Sequence, residues 1–378
     1  MTNTPSIATY NHNTNGLKKH NDSDIHESVS NYYGNILSNT NDLRTTACCT
    51  TNKPSQHLLH MLNNIPSEVL DKYYGCGLPP LDGLDGLDIL DLGCGSGRDC
   101  YILSSLVGDT GSVTGVDMTD NQLDVAKRYA DKYCIDTLGY SKCNMMFEKQ
   151  YIETLDYYNQ YDLITSNCVI NLSPNKHAVL HGVYNALRHG GEFYFSDVYS
   201  DRRIPEHLKT HPILLGECLG GALYINDFIR LASSVGFIDC RIVDSKPIQI
   251  TDLELSQLIG NIKFTSITYR LFKFDSTSID QLESLCEDYG QIGVYNGTIT
   301  NNPHSYKLDD HHIFYTNKPM LVCGNTASMI HKSITLGKHF TVIGNRDIHY
   351  GLFPCGTAQN VDARFDDVLP SQNNGACC

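Results

Sequence analysis

From Leu87 onward the chain alternates short apolar runs typical of β-strands with longer stretches of helical periodicity, and no other feature restricts the fold as strongly. The predicted strands are LDILDL, SVTGVD, NMMFEK, YDLITS and GEFYFSD. The predicted helices between them are DCYILSSLVG, TDNQLDVAKRYADKYC and NKHAVLHGVYNALRHG. Such alternation predicts an α/β fold with a parallel sheet covered on both faces, which binds ligands at the carboxyl ends of its strands.

Two of the predicted helices carry recognisable end signals. Thr119 and Gln122 stand three positions apart at the start of the second helix, a spacing that predicts a capping box. The third helix closes on Arg188, His189 and Gly190, where cations near the last turn and a glycine at the cap are both favourable. We therefore expect these helices to begin at Thr119 and to end at Gly190.

The loop after the first predicted strand is rich in glycine and reads DLGCGSGR over residues 91–98. Alternating glycines let the backbone turn tightly and pass close to a ligand. A dinucleotide fingerprint requires a third glycine where this chain has Arg98, which argues against NAD. Asp117 ends the second strand 20 residues after Gly97, where a carboxylate can bind two ribose hydroxyls. An acidic residue before the loop suits a cofactor without a pyrophosphate, and the pattern predicts S-adenosylmethionine.

The candidate cofactor-binding residues come from three segments of this pattern. The glycine loop supplies the first group, the end of the second strand the next, and the segment after the third strand supplies an apolar and a polar group for the adenine. They are Asp91, Gly93, Gly95, Gly97, Arg98, Asp117, Met118, Ile152 and Glu153.

Composition limits the classes of partner. With 378 residues the chain is long enough for two domains, and 41% hydrophobic residues is typical of a globular protein. The formal charge of -14 repels phosphate backbones and anionic lipids, so we expect neither nucleic acid nor membrane as a partner. The amino-terminal sequence lacks a signal-peptide pattern, and no apolar run is long enough to span a bilayer. We expect a soluble, cytosolic monomer.

Fifteen cysteines without a secretion signal indicate thiols that are kept reduced. No CxxC pair occurs, so any metal or metalloid site must be assembled from distant segments. Cys168 follows the fourth predicted strand, and glycines flank Cys76 and Cys218, which favours exposed loops. Three thiolates in one cleft would select a soft ion; zinc would need a fourth ligand, whereas a trivalent metalloid needs only three. Inert core positions are predicted for Cys100, Cys134, Cys143 and Cys240.

Several segments together resemble the eukaryotic arsenite methyltransferases. The similarity is dense from about residue 30 to 275, and SNCVINL and GECLGGALY are its most specific segments. The others are NYYGNIL, YYGCGL, ILDLGCGSGRDCY, GVDMT, GGEFYFSDVY and FTSITYRLFKF. The resemblance implies a Rossmann-like class I methyltransferase fold and methyl transfer from S-adenosylmethionine to As(III), supplied as arsenite or its glutathione conjugate.

The same resemblance implies roles for individual residues. Cys168 and Cys218 hold As(III), and Cys76 joins them as the third thiolate. Cys48 is implied as the partner of Cys76 in a disulfide formed during turnover and reduced by thioredoxin or glutathione. Cys49 beside it departs from the family and leaves open which of the two acts.

Further side chains follow from the implied mechanism. Tyr74 is expected near the sulfonium and Asn167 at the methionine part of the cofactor. Glu217 has two interpretations, either a proton acceptor for Cys218 or a solvated loop carboxylate. No role is assigned to Cys323, Cys355 or the terminal pair Cys377-Cys378, although the pair is a candidate for arsenic capture or electron relay.

The expected organisation has five parts. They are a disordered segment 1–25, a helical extension 26–70, the methyltransferase domain 71–245 with an arsenic-binding insertion at about 200–226, a small α+β domain 246–350, and a flexible tail 351–378. Two other functions stay open: a methyltransferase for an organic acceptor such as a quinone or sterol, and a non-catalytic thiol protein that stores or senses soft metals.

Overall fold

A computed structural model of the protein describes residues 26, 29, 55–72, 75, 77–80 and 82–354. Its main feature is a central sheet with strand order β3-β2-β1-β4-β5-β8-β7, and β6 pairs with β5 off this path. The strands of this sheet are β1 (Asp88–Leu92), β2 (Ser112–Asp117), β3 (Met145–Lys149), β4 (Tyr161–Asn167), β5 (Leu187–Ser200), β6 (Leu223–Tyr224), β7 (Cys240–Pro247) and β8 (Phe264–Phe272).

The first five strands of this sheet run parallel, in the order typical of a doubly wound nucleotide-binding fold. β8 runs antiparallel to both β5 and β7. The carboxyl ends of β1, β2, β4 and β5 therefore meet at one edge, and the order reverses beside β1. The predicted Rossmann-like α/β fold is confirmed.

The helices α1 to α10 belong to the part of the chain that builds or covers this sheet. They are α1 (Gln56–Asn64), α2 (Ser67–Asp71), α3 (Arg98–Val107), α4 (Asp120–Arg128), α5 (Ala130–Lys132), α6 (Lys176–Ala186), α7 (Glu206–Lys209), α8 (Pro212–Gly216), α9 (Ile225–Val235) and α10 (Leu253–Ile259). A π-helical turn at Tyr133–Thr137 and 3-10 turns at Ile152–Thr154 and Ile170–Leu172 complete this part.

The central sheet is apolar on both faces. Ile89 of β1 packs in a core with α1, α3 and α4, whereas its neighbour Leu90 packs in the opposite core with α6 and α9. Successive side chains of a strand point to opposite faces, so a strand buried on both sides must be a continuous apolar run. This explains why short runs such as LDILDL predicted the strands correctly.

The structure contains neither the capping box predicted at Thr119 nor the helix end predicted at Gly190. Thr119 precedes α4, but its side chain makes no capping hydrogen bond; its amide donates to Asp117 Oδ1 at 2.8 Å instead. α6 ends at Ala186, and the residues predicted as its last turn begin β5. The tertiary cause is β-pairing: Gly190 N donates to the carbonyl of Lys273, just beyond β8, at 2.7 Å.

The carboxyl-terminal part has a separate apolar core, which includes Tyr295, Phe314, Ile330 and Phe340. Its elements are β9 (Glu287–Asp288), β10 (Gln291–Tyr295), β11 (Ser305–Lys307), β12 (Ile313–Tyr315), β13 (Met320–Val322), α11 (Gly324–Lys332), a 3-10 turn (Gly337–His339), β14 (Phe340–Ile343) and β15 (Gly351–Leu352). The boundary predicted at residue 246 does not separate the two parts, because β8 lies inside the central sheet.

Within the described ranges, none of the helices combines the length and the apolar sequence that a transmembrane segment requires.

Candidate active site

A cavity opens at the carboxyl edge of the central sheet, where a doubly wound fold binds its ligand. Residues from β1, β2 and β4 and from the loops after β1 and β3 contribute to its wall. The predicted residues that line it are Asp91, Gly93, Gly95, Asp117, Met118, Ile152, Glu153, Asn167 and Cys168. Residues predicted from separate segments of the sequence therefore lie around one cavity.

Asp117 is held rigidly at the wall of this cavity. Its Oδ2 accepts a hydrogen bond from Gly95 N at 3.0 Å, and its Oδ1 accepts one from Thr119 N at 2.8 Å. Desolvation raises the pKa of Asp117, while the hydrogen bonds from these amides oppose the rise. The result is an oriented carboxylate whose free lone pairs can accept hydroxyl groups of a ligand.

The three glycines of the loop differ in what they do. Gly93, Gly95 and Gly97 all have a left-handed backbone, with φ of 65°, 54° and 91°. A Cβ on Gly93 would lie 2.5 Å from Val169, and one on Gly97 would lie 3.1 Å from Ala126, so both positions serve close packing. A Cβ on Gly95 would have no atom within 4 Å and would project into the cavity. Only Gly95 leaves space for a ligand.

Arg98 does not line the cavity, contrary to the prediction. It begins α3 and is buried, and its guanidinium pairs with Asp99 Oδ1 at 2.7 Å. Asp99 does line the cavity, and its Oδ2 accepts a hydrogen bond from Asn167 Nδ2 at 3.1 Å. Sequence reasoning missed Asp99, although its position one residue after the loop was a usable signal.

Asn167 ties the end of β4 to Gly77. Its Nδ2 donates to Gly77 O at 2.9 Å, and its Oδ1 accepts from Gly77 N at 2.8 Å. A Cβ on Gly77 would lie 2.1 Å from Ser196 Oγ, so this close approach to the sheet requires glycine. The Asn167 amide therefore binds backbone in this structure, whereas the sequence predicts that it faces the methionine part of the cofactor.

Polar groups also surround the far end of the cavity. Glu153 Oε1 accepts from Ser173 Oγ at 2.6 Å and lies 3.1 Å from His26 Nε2. The His26 ring stacks on Tyr151 with ring centroids 4.7 Å apart. Ile152 between them is buried at the wall, which gives this end the apolar and polar groups predicted for an adenine.

Beside the cavity lies a cluster of soft and hard ligand atoms, formed by Cys168, Cys218 and Asp197. Their sulfur and carboxylate atoms all lie within 4.8 Å of one another, and all three residues are buried. Cys218 Sγ donates to the Cys168 carbonyl at 3.2 Å. The structure thus brings together two of the three predicted arsenic thiols. Because Cys168 lines the cavity as well, it links the cavity with this cluster.

Both cysteines have an unusual backbone. Non-glycine residues with positive φ are Asn159, Asn317, Cys168 at 56° and Cys218 at 62°, within the described part of the chain. Asparagine tolerates this region, whereas cysteine gains nothing from it, and such strain concentrates at functional sites. The surrounding core must hold these two cysteines in place, and it does so with buried side chains such as Leu214 and Leu219.

Asp197 ends the run GEFYFSD, and sequence analysis assigned it no role. Its two oxygens accept backbone hydrogen bonds from Asn171 N at 3.0 Å and Val198 N at 2.8 Å. Burial raises the pKa of Asp197 to about 7, although these hydrogen bonds and Lys176 oppose the rise. The signal that identified Asp117, an acid at a strand end, was available for Asp197 too.

Lys176 supplies positive charge to the cluster and was also missed. Its Nζ donates to the carbonyls of Ser173 at 2.8 Å and Asn171 at 3.2 Å. Burial lowers the pKa of Lys176 to about 8, and the charges of Asp197 and Cys218 act against this lowering. Nothing in the sequence distinguishes Lys176 from an ordinary residue at the start of a helix.

The segment that carries Cys218 is packed tightly onto the sheet and is not the exposed loop that its glycines predicted. Cys218 and Glu217 are both fully buried, so the interpretation of Glu217 as a solvated carboxylate is wrong. A Cβ on Gly221 would lie 1.8 Å from Asn171 O, which shows how closely the two backbones approach. The glycines here permit close packing.

The oxidation states of the described cysteines also differ. Cys168 is disulfide-bonded. Free thiols are present at Cys94, Cys100, Cys134, Cys143, Cys218, Cys240, Cys286 and Cys323. Of those predicted as core, Cys100 and Cys134 are fully buried, whereas Cys143 and Cys240 are half-buried. Cys48, Cys49, Tyr74, Cys76, Cys355, Cys377 and Cys378 lie outside the described residues.

The sheet order and the cavity at its carboxyl edge are those of a doubly wound ligand-binding fold, and residues 84–246 match the family model described as a methyltransferase domain. The chain is 48% identical over 337 residues to the arsenite methyltransferase of Aquipseudomonas alcaligenes, which covers 88% of this chain and 95% of that protein. It is 42% identical to the human arsenite methyltransferase, over 82% of each chain. This chain belongs to the arsenite methyltransferase family.

A solved structure supports the same relationship. The crystal structure of an arsenic(III) S-adenosylmethionine methyltransferase from Chlamydomonas reinhardtii is 55% identical in sequence and aligns with a TM-score of 0.76. The alignment covers 80% of this chain and 100% of that chain. The shared fold therefore extends well beyond residues 84–246.

Proposed function

We infer that this protein transfers methyl groups from S-adenosylmethionine to trivalent arsenic held by cysteine thiolates. The observation that carries the inference is the position of Cys168, which lines the cofactor cavity and lies within 4.8 Å of Cys218. A soft acceptor bound at these sulfurs is next to the place where a methyl donor binds. Family membership supports the same activity.

The cavity fits S-adenosylmethionine by its own geometry. Gly95 leaves open space at the glycine loop, and Asp117 presents an oriented carboxylate beside it for the two ribose hydroxyls. Ile152 and Glu153 provide an apolar surface and a polar group for the adenine. When bound, S-adenosylmethionine supplies an electrophilic methyl group on a sulfonium. The protein contributes mainly by positioning, which can lower the barrier by several kcal/mol.

At the acceptor side the protein must hold thiolates in a dry environment. Cys168 and Cys218 lie in an apolar core with residues such as Leu214 and Leu219, and Lys176 places a positive charge nearby that stabilises a thiolate at Cys218. Binding of As(III) releases the thiol protons, since only thiolates ligate soft ions well. Cys76 remains our proposed third thiolate.

The electrons for repeated turnover come from thiols, because methylation of As(III) formally raises arsenic to As(V). We propose that Cys48, or Cys49 beside it, forms a disulfide with Cys76 during turnover and that thioredoxin or glutathione reduces this disulfide. We also propose that the protein is a monomer and that it acts in the cytosol, where such reductants are present.

One reaction tests the proposed function. Purified protein is incubated with arsenite, a thiol reductant and S-adenosylmethionine, and the arsenic species are separated by chromatography. Methylated arsenicals are expected only when all three are present. Consumption of S-adenosylmethionine with an organic acceptor alone would contradict the proposal, and so would arsenite binding without methyl transfer. The organic acceptor is not favoured, because the relatives that match over most of the chain are arsenite methyltransferases.

Substituting Gly95 by leucine should weaken cofactor binding without disrupting the core. The new side chain would enter the cavity, and the left-handed backbone at φ 54° costs about 1–2 kcal/mol with any L side chain. We expect the dissociation constant for S-adenosylmethionine, measured by calorimetry, to rise by about tenfold or more, equivalent to about 1.4 kcal/mol.

A matched control separates the cavity from the backbone strain. Gly139 also has positive φ, at 75°, with no atom within 4 Å of an added Cβ, but it does not line the cavity. Because both variants place a side chain on a left-handed backbone, Gly139→Leu should lower the melting temperature by about as much as Gly95→Leu does. Unlike Gly95→Leu, it should leave the affinity for S-adenosylmethionine unchanged. Equal affinity in the two variants would show that Gly95 does not face the cofactor.

A further inference from the structure

A pair of free thiols lies at the edge of the central sheet opposite the cofactor cavity. The sulfur atoms of Cys134 and Cys143 are 3.3 Å apart. Cys143 stands two residues before β3, and β3 runs parallel to β2. The pair is therefore at the amino end of β3, whereas the cavity lies at the carboxyl ends of β1, β2 and β4, and neither cysteine lines it. The two thiols form a site separate from that of Cys168 and Cys218.

The backbone holds these two sulfur atoms close together. Cys134 lies in the π-helical turn Tyr133–Thr137, and such turns occur frequently at functional sites. The loop after this turn folds back, because Tyr140 N donates to the Cys134 carbonyl at 2.9 Å and the Tyr140 hydroxyl donates to Ser104 O at 3.2 Å. The loop thereby returns the chain to Cys134 at Cys143, nine residues further on.

Asn144 secures the other side of the pair. This buried side chain donates from Nδ2 to the carbonyls of Gly108 at 2.8 Å and Ser104 at 3.2 Å. Its Oδ1 accepts from Ser104 Oγ at 2.6 Å and from Cys134 Sγ at 3.4 Å. The Cys134 thiol thus donates to a fixed amide oxygen, and its sulfur lone pairs remain directed at Cys143.

The separation of the sulfur atoms selects the kind of ligand. A disulfide bond is about 2.05 Å long, so this pair is open. With metal–sulfur bonds of about 2.3 Å, a tetrahedral ion places two sulfurs about 3.8 Å apart, whereas a pyramidal ion with angles of about 90° places them about 3.3 Å apart. The observed 3.3 Å matches the pyramidal geometry of a trivalent metalloid.

The number of ligands narrows the choice further. Structural zinc requires four protein ligands. In the part of the chain that the structure describes, three cysteine, histidine or acidic ligands come together only at Cys168, Asp197 and Cys218. Cys134 and Cys143 therefore offer two bonds, which suits a metalloid that has two exchangeable groups and one permanent substituent.

A small ligand can reach this pair from the surface. Cys134 is fully buried, but Cys143 is half-buried. The residues beside them, Ile135 and Lys142, are exposed. The two sulfur atoms therefore lie just beneath an exposed loop.

We propose that Cys134 and Cys143 form a second arsenical site, which binds monosubstituted trivalent arsenicals, RAs(OH)₂, away from the methyl donor. Two As–S bonds form and two As–OH bonds break. Each thiol proton leaves with a hydroxide as water, so two waters are released and nothing is oxidised or reduced. The reaction needs no free thiolate beforehand, although burial raises the pKa of Cys143 to about 12.

The natural source of such a ligand rests on the proposed function. One methylation of As(III) followed by reduction gives methylarsonous acid, which has one methyl group and two hydroxyls. Bound at the amino edge of the sheet, this compound is remote from the sulfonium and cannot accept a second methyl group there. The site would hold the monomethylated product apart from further methylation.

The test uses full-length, fully reduced protein and an excess of methylarsonous acid, without S-adenosylmethionine. The remaining thiols are then blocked with N-ethylmaleimide under denaturing conditions, and trypsin cleaves after Lys132, Lys142 and Lys149. Because the two cysteines fall in different peptides, a bridging arsenic joins them. We expect mass spectrometry to find peptides 133–142 and 143–149 linked by one CH₃As group.

Single-cysteine variants supply the matched controls. Cys143→Ser should lose the linked peptides and retain one fewer arsenical per molecule, and Cys134→Ser should do the same. Because the second As–S bond forms within one molecule, its loss should weaken binding at the remaining thiol by about 100-fold or more. Cys240, a half-buried thiol at the start of β7, should carry only maleimide in every sample.

The half-buried position of Cys143 covers the case in which Cys134→Ser does not fold, because Cys143→Ser alters a loop near the surface. Absence of the linked peptides from the wild-type protein would overturn the proposal. Unchanged stoichiometry and affinity in Cys143→Ser would overturn it as well.

Cys168→Ser distinguishes this site from the proposed methyl transfer. That variant should still give the linked peptides, since the two sites lie at opposite edges of the sheet. Wild-type protein that methylates arsenite but forms no link would contradict the second site alone. Protein that forms the link but never methylates arsenite would contradict the proposed function alone. Loss of the link in Cys168→Ser would overturn the independence of the second site.

Discussion

Replacing Cys168 by serine is expected to abolish arsenite methylation and to leave S-adenosylmethionine binding within about twofold of the wild type. Serine has nearly the same shape, so the cavity wall is kept, but its hydroxyl is a poor ligand for a soft ion. We expect kcat/KM for arsenite to fall by about 100-fold or more, a loss of about 2.7 kcal/mol of transition-state stabilisation. Methylated products are measured by chromatography and cofactor binding by calorimetry.

The appropriate control for this variant is a cysteine of similar chemistry away from the cavity. Cys240 is a half-buried free thiol at the start of β7, and Cys240→Ser should methylate arsenite at the wild-type rate. Cys218→Ser should behave like Cys168→Ser, because its hydroxyl can still donate to the Cys168 carbonyl at the same place. Full methylation by the Cys168→Ser enzyme would remove Cys168 from the acceptor site.

Gly221→Ala should cost both stability and activity, because the added methyl group has no space. Its Cβ would lie 1.8 Å from the carbonyl oxygen of Asn171, and backbone cannot move as a flexible side chain can. Forcing the two segments apart should destabilise the fold by about 1–3 kcal/mol. It should also displace Cys218 from Cys168, since Asn171 Nδ2 contacts the Cys218 carbonyl at 3.4 Å. Arsenite methylation should fall by about tenfold or more, equivalent to about 1.4 kcal/mol.

Two measurements distinguish this effect from general unfolding. Thermal unfolding gives the stability loss, and S-adenosylmethionine affinity, measured well below the melting temperature, should be retained because Gly221 does not line the cavity. Gly139→Ala serves as the comparison, since its added methyl group meets no atom within 4 Å. If Gly221→Ala methylates arsenite normally, the close approach to Asn171 does not position Cys218.

The strands of the sheet could be predicted because burial on both faces produces continuous apolar runs with clear turn signals. The start of β5 could not be predicted, because Leu187, Arg188 and His189 continue the helical pattern of the preceding residues without interruption. They are strand residues for a tertiary reason: Lys273 Nζ donates to Leu187 O at 2.7 Å, and the Lys273 backbone pairs with Gly190 and Gly191. Contacts with a segment some 80 residues away decide the conformation, and a local pattern contains no such information.

The residues of the candidate site likewise divide into those that the sequence could predict and those that it could not. Asp117 could be predicted because a fixed spacing from the glycine loop reflects the geometry of one strand-helix-strand unit. Cys218 lies beside Cys168 as a shared site requires, but it was wrongly expected to be exposed, because glycine marks flexible turns and close backbone contacts alike. Arg98 was misassigned because its partner, Asp99, is adjacent in sequence and the pair gives no periodic signal. Lys176 acquires its significance only from the burial of Asp197 and Cys218.

The position of β8 between β5 and β7 bears on how such an enzyme can be divided or fused. β8 comes from residues 264–272, beyond the end of the matched methyltransferase segment at residue 246. A fragment that stopped there would leave β5 with an open edge of unpaired amides and carbonyls, which invites aggregation. The catalytic half of this protein is therefore not a portable module. A truncation or fusion that preserves the central sheet must therefore retain the chain at least through Phe272, the last residue of β8.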